Sequence, residues 1–163
     1  MTTYSRKPDA DFVSFMRREA GLDLSRQPID DPRYWFVAFA RDVTGQVVAG
    51  MAVEYLHAFD GFFTAAVIDP EVMNRKLLRA IFATLFSRVT RITATVDPDN
   101  HVSRDALKRL GFIYEGFLRR GLDGKRDAEL YGMLMEDCKY LPGYAGGTIV
   151  TAGTATPAHR TTH

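Results

Sequence analysis

Apolar residues at Phe12, Phe15, Met16 and Ala20 recur at helical spacing and predict a helix over Asp9 to Ala20. Pro8 and Asp9 suit its first turn, and Gly21 suits a left-handed cap. A polar connector with Pro28 and Pro32 follows. The pattern then shortens to that of strands. Tyr34 to Ala40, Gln46 to His57 and Phe62 to Ile68 are rich in aromatic and β-branched residues. Thr44-Gly45 and Asp60-Gly61 separate them as turn signals, so the three runs read as an antiparallel meander.

After Asp69-Pro70 the period lengthens again. Leu77, Leu78, Ile81, Leu85 and Phe86 form a wide apolar stripe, which predicts one long helix from Glu71 to Arg88. Glu71 then lies in its first turn and Arg88 in its last, both favourable to the helix dipole. Val89 to Val96 alternates and reads as a strand. A helix of this length between two strands permits a crossover, so those strands can lie parallel. Asp97 to Asn100 is a loop, Ser103 to Leu110 a short helix ended by Gly111, and Phe112 to Arg119 and Ala128 to Met135 a hairpin. The fold class is α+β: a mixed central sheet with an antiparallel meander, a long crossover helix, a short helix and a C-terminal hairpin. Residues 1–141 form one domain. Residues 142–163 shift to a Gly-, Thr- and Ala-rich tail, within which Thr148 to His163 has no aromatic residue, little to bury, and reads as mobile.

Composition narrows the class. The chain has 163 residues, 46% hydrophobic and 25% charged, which suits a single soluble domain. No apolar run reaches the roughly 18 residues of a membrane helix. One cysteine, Cys138, excludes an internal disulfide and points to a reducing, cytoplasmic setting. The net charge of +1 argues against a protein dedicated to nucleic acid, where a basic excess is expected. Two local basic clusters remain, Arg75-Lys76-Arg79 and Arg119-Arg120-Lys125-Arg126; their bland reading is a solvated face. Neither a Gly-x-x-x-x-Gly-Lys loop nor a Gly-x-Ser-x-Gly elbow occurs. The four histidines, two of them at His159 and His163, show no metal-ligand spacing.

The later segment is the most specific. It runs Asn100, Ser103, Leu110-Gly111-Phe112, Glu115-Gly116, Arg119, Asp123-Gly124, Asp127 and Tyr131-Gly-Met-Leu134. In this order the set resembles the C-terminal half of the GNAT acyltransferase superfamily. The closest subgroup contains the ribosomal-protein N-terminal acetyltransferases. The resemblance implies the fold above and transfer of an acetyl group from acetyl-CoA to an amine. It places Asn100 and Ser103 beside the pantetheine arm, and makes Ser103 the candidate acid for the leaving thiolate, because Leu107 stands where other subgroups carry a tyrosine. Read on their own, both residues are also ordinary helix-cap types. In this fold the backbone around Ala66, Val67 and Ile68 would polarise the acetyl carbonyl.

The family's pyrophosphate loop is altered. Anchored on Asp69-Pro70, the alignment puts Met73, Lys76 and Leu78 at the signature Arg and two Gly positions. Lys76 and Leu78 are expected to bring side chains into the phosphate space. Arg75 and Lys76 supply compensating charge, or are plain surface cations. For the base, Glu54 is a candidate, acting directly or through water; as a strand carboxylate it also suits an outward position. His57 is another candidate base, with an ordinary strand-end histidine as its bland reading. The resemblance puts Glu115 and Tyr131 at positions near the substrate side, with support of the sheet as the alternative, and Tyr114 is a weaker candidate. The alternative is a GNAT-like protein whose catalysis has eroded. Bacteriophage-encoded relatives with eroded cofactor loops include virion-associated and DNA-modifying proteins, which implies a structural or DNA-directed role.

Overall fold

The computed structural model describes residues 2–5, 9–25, 31–41 and 44–142. The tail expected from residue 142 lies outside them, apart from Pro142 itself. Seven strands form one sheet: β1 (Thr2–Ser5), β2 (Tyr34–Arg41), β3 (Val47–Tyr55), β4 (Asp60–Val67), β5 (Arg91–Val96), β6 (Ile113–Leu118) and β7 (Ala128–Leu134). Their spatial order is β1-β2-β3-β4-β5-β7-β6. The β1 to β4 neighbours are antiparallel, as the meander requires, and β4 and β5 are parallel. β1 is an addition to the expected set. Its four polar residues carry no apolar alternation that would announce a strand.

Helix α1 (Ala10–Ala20) covers one face of β2 to β4. Asp9 accepts from the Phe12 amide at 2.8 Å, and Gly21 takes the left-handed cap at φ 65°. Phe12, Phe15 and Met16 pack on Phe36, Ala38, Ala52 and Ala66. The opposite face carries α2 (Arg75–Phe86) and α3 (His101–Leu110). There Leu78, Ile81, Phe82, Leu85 and Leu107 pack on Val37, Met51, Val53, Phe63, Ile92 and Tyr131. Strand β3 is buried over Val47–Val53, because helices cover both of its faces.

The helix expected from Glu71 to Arg88 is broken. A 3-10 turn occupies Pro70–Val72, and α2 begins only at Arg75. Asn74 is the reason. Its side chain accepts from the Leu77 amide at 3.0 Å and caps a new helix. Glu71 therefore belongs to the separate turn. Arg88 falls beyond α2 and lies over the Tyr55 ring, 5.2 Å from its centroid. The short helix begins slightly earlier than expected, at His101. Asn100 caps it through the Ser103 amide at 3.0 Å, and Gly111 closes it at φ 109°.

Candidate functional site

The parallel strands β4 and β5 are paired only at Asp60–Arg91, Gly61–Ile92 and Phe62–Thr93. Beyond these pairs the strands separate. Residues 63–67 of β4 stay with β3, and residues 94–96 of β5 stay with β7. The opening is thus built by neighbours that pull two strands apart.

The ladder determines which amides face this gap. The Ile68 amide donates to the Val48 carbonyl at 2.9 Å, and Phe59 accepts from the Arg91 amide at 2.9 Å. Backbone direction alternates along an antiparallel strand. Thr64, Ala66 and Ile68 therefore bond toward β3, whereas Phe63, Ala65 and Val67 direct their backbone groups toward β5. Of the three residues expected at the acetyl carbonyl, Val67 faces the gap through its amide, whereas Ala66 bonds toward β3 and the Ile68 amide is committed to Val48.

The beginning of α2 lies just past the end of β4. The Asp69 side chain accepts from the Glu71 amide, Met73 donates to the Pro70 carbonyl, and Leu77 donates to Asn74. Arg41 pairs with Asp69 at 2.6 Å, and that contact holds the Asp69 carboxyl below the ordinary carboxylate range. Arg75 and Lys76 are exposed at this helix end. Leu78 corrects the expectation from sequence. It is 8% exposed and packs into the core beneath α2, so it does not enter the phosphate space. Lys76 alone projects from the two altered glycine positions.

Asn100 and Ser103 lie on the first turn of α3, after the end of β5. Asn100 is exposed and its side-chain oxygen is committed to the Ser103 amide; Ser103 is half-buried. Glu54 is half-buried on β3 and accepts from the Tyr34 hydroxyl at 2.9 Å. It is thus partnered, not simply directed outward. Burial, and then the Glu54 carboxylate, push the Tyr34 phenol up. His57 is exposed in the β3–β4 turn and stacks on Phe59. Cys138 is fully buried, and that burial raises its thiol.

Two polar clusters had no clear signal in the sequence. On the face of α2 and α3, the Tyr131 hydroxyl donates to Glu129 Oε2 at 2.7 Å, and Arg104 Nε lies 2.9 Å from the same oxygen. Burial comes first in pushing the Tyr131 phenol up. Glu129 and Tyr131 pair with Val96 and Ala94, so they brace the separated stretch of β5 from behind. On the opposite face, Thr93, Asp60, Arg91 and Glu115 form a chain of contacts at the point where the gap begins. Glu115 and Tyr131 stand at positions marked by the family resemblance, and Asp60 reads only as a turn residue; Arg91 reaches Glu115 from β5 and Arg104 reaches Glu129 from α3, both distant in sequence. Among the described residues, no group of His, Cys, Asp and Glu could hold a metal ion, and no helix is long and apolar enough to cross a membrane.

No protein-family model and no curated protein matches the sequence. Solved structures do. A ribosomal-protein-S5-alanine acetyltransferase from Vibrio fischeri is similar at 16% identity, with a TM-score of 0.62 over 85% of this chain and 94% of that one. A variant of the spermidine N-acetyltransferase SpeG from Vibrio cholerae gives 16% identity and a TM-score of 0.62, covering 86% of this chain and 96% of that one. RimJ from Mycobacterium smegmatis, in complex with CoA-disulfide, is 28% identical over 64% of this chain and 54% of its own, with a TM-score of 0.50. The chain has the fold of the GNAT acetyltransferases.

Proposed function

We propose that this chain transfers an acetyl group directly from acetyl-CoA to an amine acceptor. The observation that carries the reading is the gap after Phe62 and Thr93, with the Ala65 and Val67 amides facing into it. Preorganised amide donors of this kind stabilise the negative charge that develops on an acyl oxygen. The residues present fit the co-substrate on two counts. The gap offers unpaired strand backbone to an extended arm, and α2 offers Arg75 and Lys76 at a helix N-terminus to phosphate. Leu78, buried below, leaves that approach clear.

When bound, acetyl-CoA supplies an activated acyl carbon and a thiolate leaving group. The Ala65 and Val67 amides hold the acyl and pantetheine portion. Arg75 and Lys76 hold the diphosphate, and Asn100 and Ser103 border the arm. In this reading the hydroxyl of Ser103, on the first turn of α3, gives a proton to sulfur. The solved relatives named above act, by their names, on the alanine of a ribosomal protein and on spermidine. For this chain the acceptor is an amine, carried by a small molecule, a protein or a modified base.

A second reading is a GNAT-fold protein without acetyl transfer that binds a protein or DNA partner. The helix entrance favours it. Asp69 and Glu71 add negative charge there, and Asn74 already occupies the Leu77 amide.

Isothermal titration with acetyl-CoA and CoA separates the two. The acetyl-transfer reading expects saturable micromolar binding, weakened by about tenfold or more in Arg75→Ala/Lys76→Ala through loss of two phosphate contacts. Absence of heat up to millimolar ligand would abandon that reading. Binding to DNA that weakens steeply with salt would then identify the DNA-directed version.

A further inference from the structure

The β4–β5 gap begins at a polar cluster for which the acetyl-transfer reading gives no role. Strand register sets side chains in a transverse row: Tyr34, Glu54, Phe62, Thr93, Gly132 and Ile113, one from each of six strands. Phe62 and Thr93 are the last β4–β5 pair. Thr93 therefore marks the apex of the gap, on the face away from α2 and α3. Its hydroxyl donates to both Asp60 oxygens at 2.9 Å and accepts from Arg91 Nε at 3.2 Å. Arg91 Nε also lies 3.7 Å from Asp60, and its terminal nitrogens grip the Glu115 carboxylate.

The cluster is built at a cost to the strands around it. A Cβ at Gly132 would overlap both the Glu115 carboxylate and the Arg91 guanidinium, so this mid-strand glycine makes room for the ion pair. Glycine in a strand interior weakens it. Half-buried ion pairs return little net stability. Stability alone thus leaves the arrangement without a rationale, and its place at the gap supplies one.

We propose that Thr93 and Asp60 are the proton-accepting pair of the acyl-transfer site, with Arg91 and Glu115 as positioning residues. This rests on the acetyl-transfer reading. The acceptor nitrogen forms the new C–N bond, and the C–S bond breaks with its electron pair leaving on sulfur. Ala65 lies three residues, roughly 10 Å, beyond the Phe62–Thr93 pair, so the surplus proton on nitrogen passes through water to Thr93 Oγ1 as the Thr93 hydroxyl proton moves to Asp60. The thiolate takes its proton from the Ser103 hydroxyl, which solvent then reprotonates, or directly from water. Asp60 returns its proton to solvent. Glu54, on the same row, is set back from the gap. Two strand spacings, about 10 Å, separate its position from that of Thr93, and the closed β3–β4 pair lies between.

The test uses the whole chain with acetyl-CoA and, as acceptors, methylamine, spermidine and an alanine N-terminal peptide. CoA release is followed, and CoA affinity is measured by titration. Asp60→Asn is expected to lower kcat by about 10²- to 10⁴-fold, the usual worth of a positioned proton acceptor. Its CoA affinity should match the wild type. Asp60→Ala should recover at least about tenfold with added formate, which replaces a lost carboxylate and does not repair a merely structural defect. Wild-type turnover in Asp60→Asn overturns the assignment, as does loss of turnover in Glu54→Gln alone. Acetyl-CoA bound but not consumed with any acceptor or with water also overturns it, while leaving cofactor binding intact. Failure of the wild type to bind acetyl-CoA sinks the acetyl-transfer reading and this proposal together.

Discussion

Asp69 shows how one side chain caps a turn and ties it to a distant strand. One oxygen caps the 3-10 turn through the Glu71 amide, and the other meets Arg41 from β2. The Arg41 contact is the largest cause of its lowered carboxyl. A carboxyl depressed in the folded state stabilises it above the unfolded value, about 4, and loses that contribution as pH falls through the folded value. The stability advantage of the wild type over Asp69→Asn is therefore expected to be full near neutrality and to shrink below about pH 4. Urea denaturation of both proteins across that range checks this. A difference that stays constant with pH would remove the ionised pair from the account. Asparagine is the informative replacement because it preserves an oxygen for the Glu71 amide.

Elements were legible where local chemistry acts alone. Gly21, Asn100 and Gly111 each work within one turn, and their sequence signals match the caps observed; Asp9, expected inside the first turn, stands one residue before it as the cap. The break in the crossover helix was less visible. Leu77 to Phe86 continues one apolar stripe, and a single asparagine at position 74 resets the hydrogen bonding without disturbing that period. The separation of β4 from β5 had no sequence signal, because it depends on which strands hold each partner. The Asp60 cluster was hidden for the same reason: four residues from three strands of one face, distant along the chain, meet only after pairing. Helix α1 offers a test of packing at this scale. A Cβ on Gly50 would lie 2.6 Å from Met16 Sδ and 2.9 Å from Phe12 Cε2. Methionine can bend away, whereas the Phe12 ring is held between strand and helix. Gly50→Ala is expected to cost about 1–3 kcal/mol by overpacking, exceeding the roughly 0.4–1 kcal/mol gained from a stiffer unfolded chain. Equal or higher stability in denaturant melts would show that α1 can lift from β3 without penalty.

The whole molecule is two blocks of sheet joined by a short seam. Strands β1 to β4 form one block and β5, β7 and β6 the other. Among the described residues, three residue pairs of the sheet connect them, and the core under α2 and α3 spans both. This architecture separates two demands that a continuous sheet would set against each other. The core needs strands held together, and the proposed acyl site needs strand backbone free of strand partners. Amide exchange can read that division residue by residue. In the unliganded protein, Thr64, Ala66 and Ile68 bond to β3 and should exchange slowly, whereas Ala65 and Val67 face the gap and should exchange fast. With CoA present at about 100 times its Kd, occupancy of the gap should slow Ala65 and Val67 by up to roughly 100-fold, the linkage limit at that concentration. Thr64 and Ala66 should change far less, because their partners on β3 are already in place. Uniform slowing along β4 would mean that CoA stabilises the fold as a whole without entering the gap. Slowing confined to the first turn of α2 would limit contact to the phosphate end and leave the strand amides without a part in acyl transfer.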